Sequence, residues 1–188
     1  MSREEVSAMV SVGTKEGVFE TSESEILQNL FKLDRITVDE IMTPRTVTVM
    51  ASENTDLKTF YTDKTHRMYS RIPVYNDSPD FITGFVLLQT VLEELAEDRF
   101  DRQLKDIQLP ILTFKEGIEV SYVWEAMLKR RIHIAQIQNE YGCFLGIVTM
   151  EDIIEAIIGR EIVDENDMID DLQAYAREKW RKQITTGM

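Results

Sequence analysis

Residues 146–154 read Gly146-Ile147-Val148-Thr149-Met150-Glu151-Asp152-Ile153-Ile154, and a weaker copy of them occurs earlier in the chain. The copy, at an offset of 62 residues, reads Gly84-Phe85-Val86-Leu87-Leu88-Gln89-Thr90-Val91-Leu92. Each copy has a glycine, a short apolar strand pattern and then the apolar periodicity of a helix. Because repetition at a fixed spacing indicates a repeated structural unit, the chain is predicted to contain two units of one fold.

Two further pairs of segments belong to the same repeat. The first unit opens with Val38-Asp39-Glu40-Ile41-Met42-Thr43-Pro44, which corresponds to Leu104-Lys105-Asp106-Ile107-Gln108-Leu109-Pro110. Its middle, Arg71-Ile72-Pro73-Val74-Tyr75, corresponds to His133-Ile134-Ala135-Gln136-Ile137. The patterns predict a β-α-β-β-α order in the first unit, with strands at Thr46–Val49, Ile72–Tyr75 and Phe85–Leu88, a helix at Leu57–Lys64, a turn at Asn76–Asp80 and a helix through Leu95.

The N-terminal residues are predicted to form two helices. Ser2-Arg3-Glu4-Glu5 has the form of a capping box, and Gly13 is a candidate end for the first helix. Thr21 or Ser22, with Glu25, is predicted to begin the second helix. A membrane-surface helix would need Lys and Arg on its polar face, whereas glutamates dominate here. We therefore interpret residues 1–36 as a helical linker.

The motifs resemble those of the tandem CBS-domain pair, or Bateman module, and most closely the cytosolic part of the cyclin M/CorC (hemolysin-like) magnesium and cobalt transporter family. The resemblance covers roughly residues 37–160 and rests on Ile41-Met42-Thr43-Pro44-Arg45, Ser70-Arg71-Ile72-Pro73-Val74, Gly146 to Glu155, and Glu161-Ile162-Val163-Asp164-Glu165. It implies an α+β fold with CBS repeats at 37–100 and 101–160, followed by an acidic exit segment and C-terminal helix at 161–188. It also implies a transmembrane domain N-terminal to this module, which this chain lacks.

Composition narrows the classes of partner and compartment. The chain has 34 acidic and 21 basic side chains, so most of its surface would repel a nucleic-acid backbone. The single Cys143 has no internal disulfide partner and is expected to be a buried thiol in a reducing cytosol. No apolar run approaches the roughly 20 residues of a membrane-spanning helix, and no signal peptide precedes the repeats. We expect a soluble chain that lies at the cytoplasmic face of the cell membrane in the full-length protein.

The Thr149-Met150-Glu151-Asp152 segment has two interpretations. Thr149 can cap the N-terminus of the following helix while the Asp152 side chain accepts a hydrogen bond from the Thr149 N–H, as in a capping box. Alternatively, the free N–H groups and the positive dipole end attract phosphate. The family resemblance favours the second interpretation, in which Asp152 takes the ribose hydroxyls and Thr149 lies near the phosphates. In the first unit Leu87 and Thr90 replace these two residues, so one adenine-nucleotide site per chain is expected.

The other side of the expected site comes from the first unit. Ile72, Pro73 and Ile147 are candidates for an apolar slot around adenine, and Thr43 is a candidate for hydrogen bonding to its edge. A forked guanidinium suits phosphate, which makes Arg71 the main phosphate candidate. The nucleotide-binding residues expected from sequence are therefore Thr43, Arg45, Ser70, Arg71, Ile72, Pro73, Ile147, Thr149 and Asp152.

No dedicated metal site or catalytic motif is expected. Mg²⁺ normally keeps water and phosphate ligands, so it is expected to enter with the phosphates of ATP or AMP. The acidic cluster Asp164, Glu165, Asp167, Asp170 and Asp171 lacks the spacing of an EF-hand and is interpreted as a solvated segment. His66, His133 and Cys143 share no zinc-ligand motif. The sequence has no nucleophile elbow, phosphate-binding P-loop or dinucleotide motif, so an enzyme is not expected.

The leading interpretation is a regulatory module that binds ATP or AMP, with Mg²⁺ on the phosphates, and controls an attached Mg²⁺ or Co²⁺ transporter. Two alternatives remain open, namely a ligand-free dimerisation module and a regulatory domain of a soluble enzyme. Broad apolar helix faces around Leu92 and Ile154 predict a homodimer, because exposed apolar patches of that kind usually mark an interface.

Overall fold

The computed structural model describes residues 1–159. The acidic cluster and the segment predicted for 161–188 therefore lie outside the described residues. Two N-terminal helices come first, followed by two units that repeat the same order of elements. No helix within residues 1–159 is long and apolar enough to cross a membrane. The elements of the N-terminal part are α1 (Arg3–Lys15) and α2 (Thr21–Lys32).

Each unit has a short opening segment and a β-α-β-β-α body. The first opening segment holds α3 (Val38–Ile41) and β1 (Thr43–Pro44), and the second holds a 3₁₀ turn at Leu104–Asp106. The first body contains β2 (Ala51–Ser52), α4 (Leu57–Thr62), β3 (Arg71–Tyr75), β4 (Ile82–Leu87) and α5 (Leu88–Ala96). The second body contains β5 (Leu112–Lys115), α6 (Val120–Arg130), β6 (Ile134–Gln138), β7 (Phe144–Thr149) and α7 (Met150–Ile158). This is the α+β tandem fold predicted from the repeat.

Each body has a three-stranded sheet with one parallel and one antiparallel pairing. In the first body β2 pairs parallel with β3, which pairs antiparallel with β4. In the second body β5 and β6 are parallel and β6 and β7 are antiparallel. The parallel pairs are joined through α4 and α6, as a parallel crossover requires.

The opening segments are exchanged between the two units. Strand β1 precedes the first body but pairs with β7 of the second, with Thr43 opposite Ile147. Leu109 precedes the second body but forms a bridge with Phe85 of β4. The exchange extends into the two cores, because Val38 packs with Val120 and Val148 of the second body and Leu104 packs with Leu57 and Val86 of the first. The sequence boundary after residue 100 stays a prediction. In the structure, the opening segment of each unit pairs with the body of the other.

Glycine is required where each opening segment crosses a strand. A Cβ on Gly146 would lie 2.4 Å from the Thr43 carbonyl oxygen, and one on Gly84 would lie 2.5 Å from that of Leu109. Both distances are below 3.0 Å, a separation that Cβ atoms essentially never show, and the blocking atoms are backbone. The two glycines that begin the repeated motif are therefore explained by a close backbone approach.

The strand predicted at Thr46–Val49 is wrong. The chain turns there, because the Pro44 carbonyl accepts hydrogen bonds from Val47 N–H (3.0 Å) and Thr48 N–H (3.1 Å). The Thr48 hydroxyl donates to the same oxygen at 2.9 Å. Local hydrogen bonds of this kind compete with strand formation even in a β-branched segment. Extended pairing occurs on either side instead, in β1 and β2.

The N-terminal helices form a hairpin that rests on α7. Ser2 caps α1 with the predicted capping box. Helix α2 begins at Thr21, but its N-cap is Glu20, with Glu23 as the second residue of the box in place of Glu25. Gly13 lies inside α1, which continues to Lys15. Gln28 of α2 donates to the Ser7 carbonyl at 2.9 Å, and Asn29 donates to the Ile157 carbonyl of α7 at 3.3 Å.

We predict that Gly146→Ala lowers the free energy of unfolding by about 1–3 kcal/mol, the usual cost of overpacking a close contact. The added methyl group would push β1 away from β7. Gly84→Ala should cost a similar amount because the second opening segment crosses there. Urea denaturation measures both, with Glu140→Ala in an exposed turn as the control. A loss within the range of that control, about 0.5 kcal/mol, would contradict this account of the glycines.

Candidate nucleotide site

The junction of β7 and α7 forms one wall of the candidate site. Thr149 caps α7, and Asp152 N–H donates to the Thr149 hydroxyl oxygen at 3.4 Å. One carboxylate oxygen of Asp152 accepts from Thr149 N–H at 2.5 Å and from the Thr149 hydroxyl at 2.7 Å. Both residues are half-buried. The capping box is therefore formed, and it fixes the carboxylate of Asp152 at the positive end of the helix.

The first unit supplies the residues that face this junction. Thr43 lies opposite Ile147 in the β1–β7 pairing, two residues along β7 from Thr149, which corresponds to about 7 Å. Arg71, at the start of β3, places Nη1 3.7 Å from Oε1 of Glu151 in the first turn of α7. Segments of both units thus meet around the N-terminal end of α7, and they carry Thr43, Arg71, Ile147, Thr149 and Asp152.

Three other residues of the expected set, Ser70, Ile72 and Pro73, lie just before β3 or within it. Ile72 is fully buried in the core of the first unit, and Pro73 is buried next to it. The side chain of Ile72 therefore belongs to the core and offers no open surface to an adenine ring. Ser70 is exposed, and its carbonyl accepts from Leu88 N–H at 3.0 Å, which links the segment before β3 to the start of α5.

Arg45 lies away from the helix start. Its N–H donates to the Leu145 carbonyl at 2.8 Å, and its guanidinium forms an ion pair with Asp80. Thr149 lies four positions beyond Leu145 along β7, a distance of about 13 Å. Arg45 is therefore at the opposite end of β7 from the residues expected to hold phosphate.

The corresponding junction in the first unit has a different chemistry. Leu87 occupies the N-cap position of α5 and provides no side-chain hydrogen bond to it. Thr90 stands where α7 has Asp152, and it is half-buried. A hydroxyl can replace neither the charge nor the paired acceptors of a carboxylate. The two junctions are thus related in backbone but not in side-chain function.

Sequence reasoning missed two residues that contact the expected set. Glu151 lies inside the repeated motif, next to Asp152. Its position in the first turn of a helix, where acidic side chains are favoured, was a signal that could have identified it. Asp80 had no such signal, because a predicted turn does not reveal which opening segment it meets. Both are acidic, and each holds one of the two arginines expected at the site.

The candidate metal ligands have other contacts. His66 stacks on Phe60, with ring centroids 4.4 Å apart and an interplanar angle of 5°. Its Nδ1 lies 3.0 Å from the Phe60 carbonyl oxygen. Cys143 is a half-buried free thiol. Within residues 1–159 no three His, Cys, Asp or Glu side chains are grouped so that they could hold a metal ion.

Comparison with known proteins identifies the family. Residues 104–159 match the family model of the CBS domain. A solved CBS domain of a bacterial CNNM/CorC family Mg²⁺ transporter, in complex with the inhibitor IGN95a, is 30% identical. It superposes with a TM-score of 0.81 over 87% of this chain and 100% of that one. The chain belongs to the CBS modules of the CNNM/CorC family.

Two other relatives of this CBS module are informative. A CBS domain of a bacterial CNNM/CorC family Mg²⁺ transporter in complex with ATP is 30% identical, with a TM-score of 0.69 over 73% of this chain and 97% of that one. Hemolysin C of Brachyspira hyodysenteriae is 37% identical over 152 residues, which are 78% of this chain and 54% of that protein. The module spans half or less of the length of the first curated relatives it matches.

Proposed function

We propose that this CBS module is a regulatory adenine-nucleotide sensor, which binds one ATP or AMP in the cleft between β1, β3 and the start of α7. Asp152 takes the ribose hydroxyls, Thr43 the adenine edge and Arg71 the phosphates. The observation that carries the proposal is the meeting of these segments, distant in sequence, at one capped helix N-terminus. The solved ATP complex of a related CBS domain supports the choice of ligand.

Phosphate has to displace an existing partner of Arg71. The guanidinium lies 3.7 Å from the Glu151 carboxylate, with 27% of the Arg71 side chain exposed. A partly exposed pair at this distance is weak, so polyphosphate can replace it at low cost. With a formal net charge of −13, however, the protein repels bare polyphosphate at long range. Mg²⁺ bound to the phosphates reduces that repulsion and needs no protein ligands of its own.

The N-terminal helices connect the site to what precedes the module. Helix α2 packs against α7, and Asn29 donates to the carbonyl of Ile157 near the C-terminal end of α7. Nucleotide bound at the N-terminal end of the same helix would act on this contact through a short rigid element. We propose that the attached partner is a membrane transporter of Mg²⁺ or Co²⁺, as the family suggests.

One observation favours the alternative of a ligand-free dimerisation module. Asp152 and Thr149 satisfy each other in the capping box, so α7 is complete as a structural element in the absence of nucleotide. The exposed Leu92 and Ile154 are available to a second copy in either case. Nucleotide titration separates the two functions.

We predict that Asp152→Asn weakens adenine-nucleotide binding by about 1–3 kcal/mol, because the amide presents donors where two hydroxyl groups need acceptors. Isothermal titration with ATP and AMP measures the change, and circular dichroism checks that the variant is folded. Thr90→Ala, at the corresponding position of the first unit, is the matched control and should bind almost normally. An equal loss in both variants would assign the site to the wrong unit, and unchanged binding in Asp152→Asn would leave this residue only its capping role.

Phosphate number and Mg²⁺ provide a second test. Bare ATP should bind little better than AMP, since each added phosphate meets an acidic protein. Millimolar Mg²⁺ should raise ATP affinity and leave AMP affinity nearly constant, and Arg71→Ala should abolish the difference. The control is Arg67→Ala, which removes an exposed arginine four residues before Arg71. If AMP bound as tightly as ATP with Mg²⁺ present, the module would be an AMP sensor.

Exposed apolar side chains on α5 and α7 predict a homodimer. Val91 and Ile153 are fully buried in the cores, whereas Leu92 is 42% and Ile154 is 39% exposed on the same helices. Light scattering at tens of micromolar protein should give twice the chain mass of 21.9 kDa. The double substitution Leu92→Asp and Ile154→Asp should yield a folded monomer, because it places charges in an apolar contact. A monomeric wild-type protein would refute the dimer.

A further inference from the structure

The turn between β3 and β4 contacts the second unit at the end of β7 that is remote from Asp152. The carboxylate of Asp80 pairs with the Arg45 guanidinium, and its backbone carbonyl accepts from Phe144 N–H at 3.2 Å. Arg45 N–H in turn donates to the Leu145 carbonyl. A single residue of the first unit thus contacts both the residue that follows β1 and the first residue of β7.

Asp80 is itself held in place by its own turn. The Ser78 hydroxyl donates to the second carboxylate oxygen at 3.0 Å, and Asp80 N–H lies 3.2 Å from the same hydroxyl oxygen. These hydrogen bonds, first from Ser78 and then from Arg45, hold the pKa of the Asp80 carboxyl below its usual value. Asp80 is therefore ionised at neutral pH and keeps Arg45 oriented.

The same arrangement does not recur in the other half of the repeat. At the offset of the opening segments, Ile111 stands where Arg45 stands, and at the offset of the bodies, Gly142 stands where Asp80 stands. The ion pair therefore accompanies only the opening segment that carries Thr43. It lies at the start of β7, the strand that leads to the junction with Thr149 and Asp152. Its counterpart is missing for β4, the strand that leads to the junction with Leu87 and Thr90.

We propose that Arg45 and Asp80 are positioning residues for the adenine side of the nucleotide site. They hold β1 on β7 and so fix Thr43, two residues before Arg45, at the edge of the ring. Arg45 thereby acts at a distance from the phosphates instead of binding them. The inference rests on the proposed function, and it replaces the direct nucleotide contact that the sequence analysis expected for Arg45.

The test compares adenosine with ATP in the presence of Mg²⁺. Arg45→Ala and Asp80→Asn should each weaken both ligands by about two- to fivefold, the range for loss of a partly exposed ion pair. The double variant should be no weaker than either single one, since both remove one contact. Asp77→Asn in the same turn, where asparagine suits the positive φ of 55°, is the matched control.

Opposite results would show that Arg45 contacts phosphate. Arg45→Ala would then weaken ATP but leave adenosine unchanged, and Asp80→Asn would leave ATP binding equal or tighter because it releases the guanidinium. Amide hydrogen exchange provides a readout without ligand, in which Arg45 N–H should exchange faster in Asp80→Asn than in Asp77→Asn. If the wild-type protein bound neither ligand, the proposed function would fail and the exchange result alone would decide. Unchanged exchange at Arg45 would overturn the positioning role.

Discussion

The Thr43 carbonyl occupies the space of a side chain at residue 146, so β1 can pair with β7 only because that residue is glycine. This contact places the opening segment of the first unit on the sheet of the second. Leu109 repeats the crossing at Gly84, so the two bodies are joined by two exchanged segments. The exchange brings Thr43 of the first unit to the strand that leads to Thr149 and Asp152 in the second unit.

The two units have the same backbone but different chemistry at the helix starts. Thr149 and Asp152 give α7 a capping box and a fixed carboxylate, whereas α5 begins at Leu87 without a side-chain cap. The duplicated fold supplies two related helix starts, which differ in the side chains that they carry. The ion pair between Arg45 and Asp80 follows the same asymmetry.

The sequence predicted the repeat, its element order and the capping box, because each depends on local periodicity or on residues three positions apart. It also identified the family, which the comparisons confirm. The strand at Thr46–Val49 failed because hydrogen bonds to the Pro44 carbonyl outweigh β-propensity. The partner of Arg45 and the burial of Ile72 were not predictable, since both depend on which segments of the chain meet after the exchange.

Backbone amide resonances recorded during an ATP titration with Mg²⁺ show which helix start binds the nucleotide. We expect the amides of Thr43, Arg71 and Thr149–Asp152 to shift with one common affinity, and the corresponding amides of Leu87–Thr90 to remain unchanged. Saturation should correspond to one nucleotide per chain. Equal shifts at both helix starts, or none at either, would contradict the assignment of a single nucleotide site to the second unit's helix.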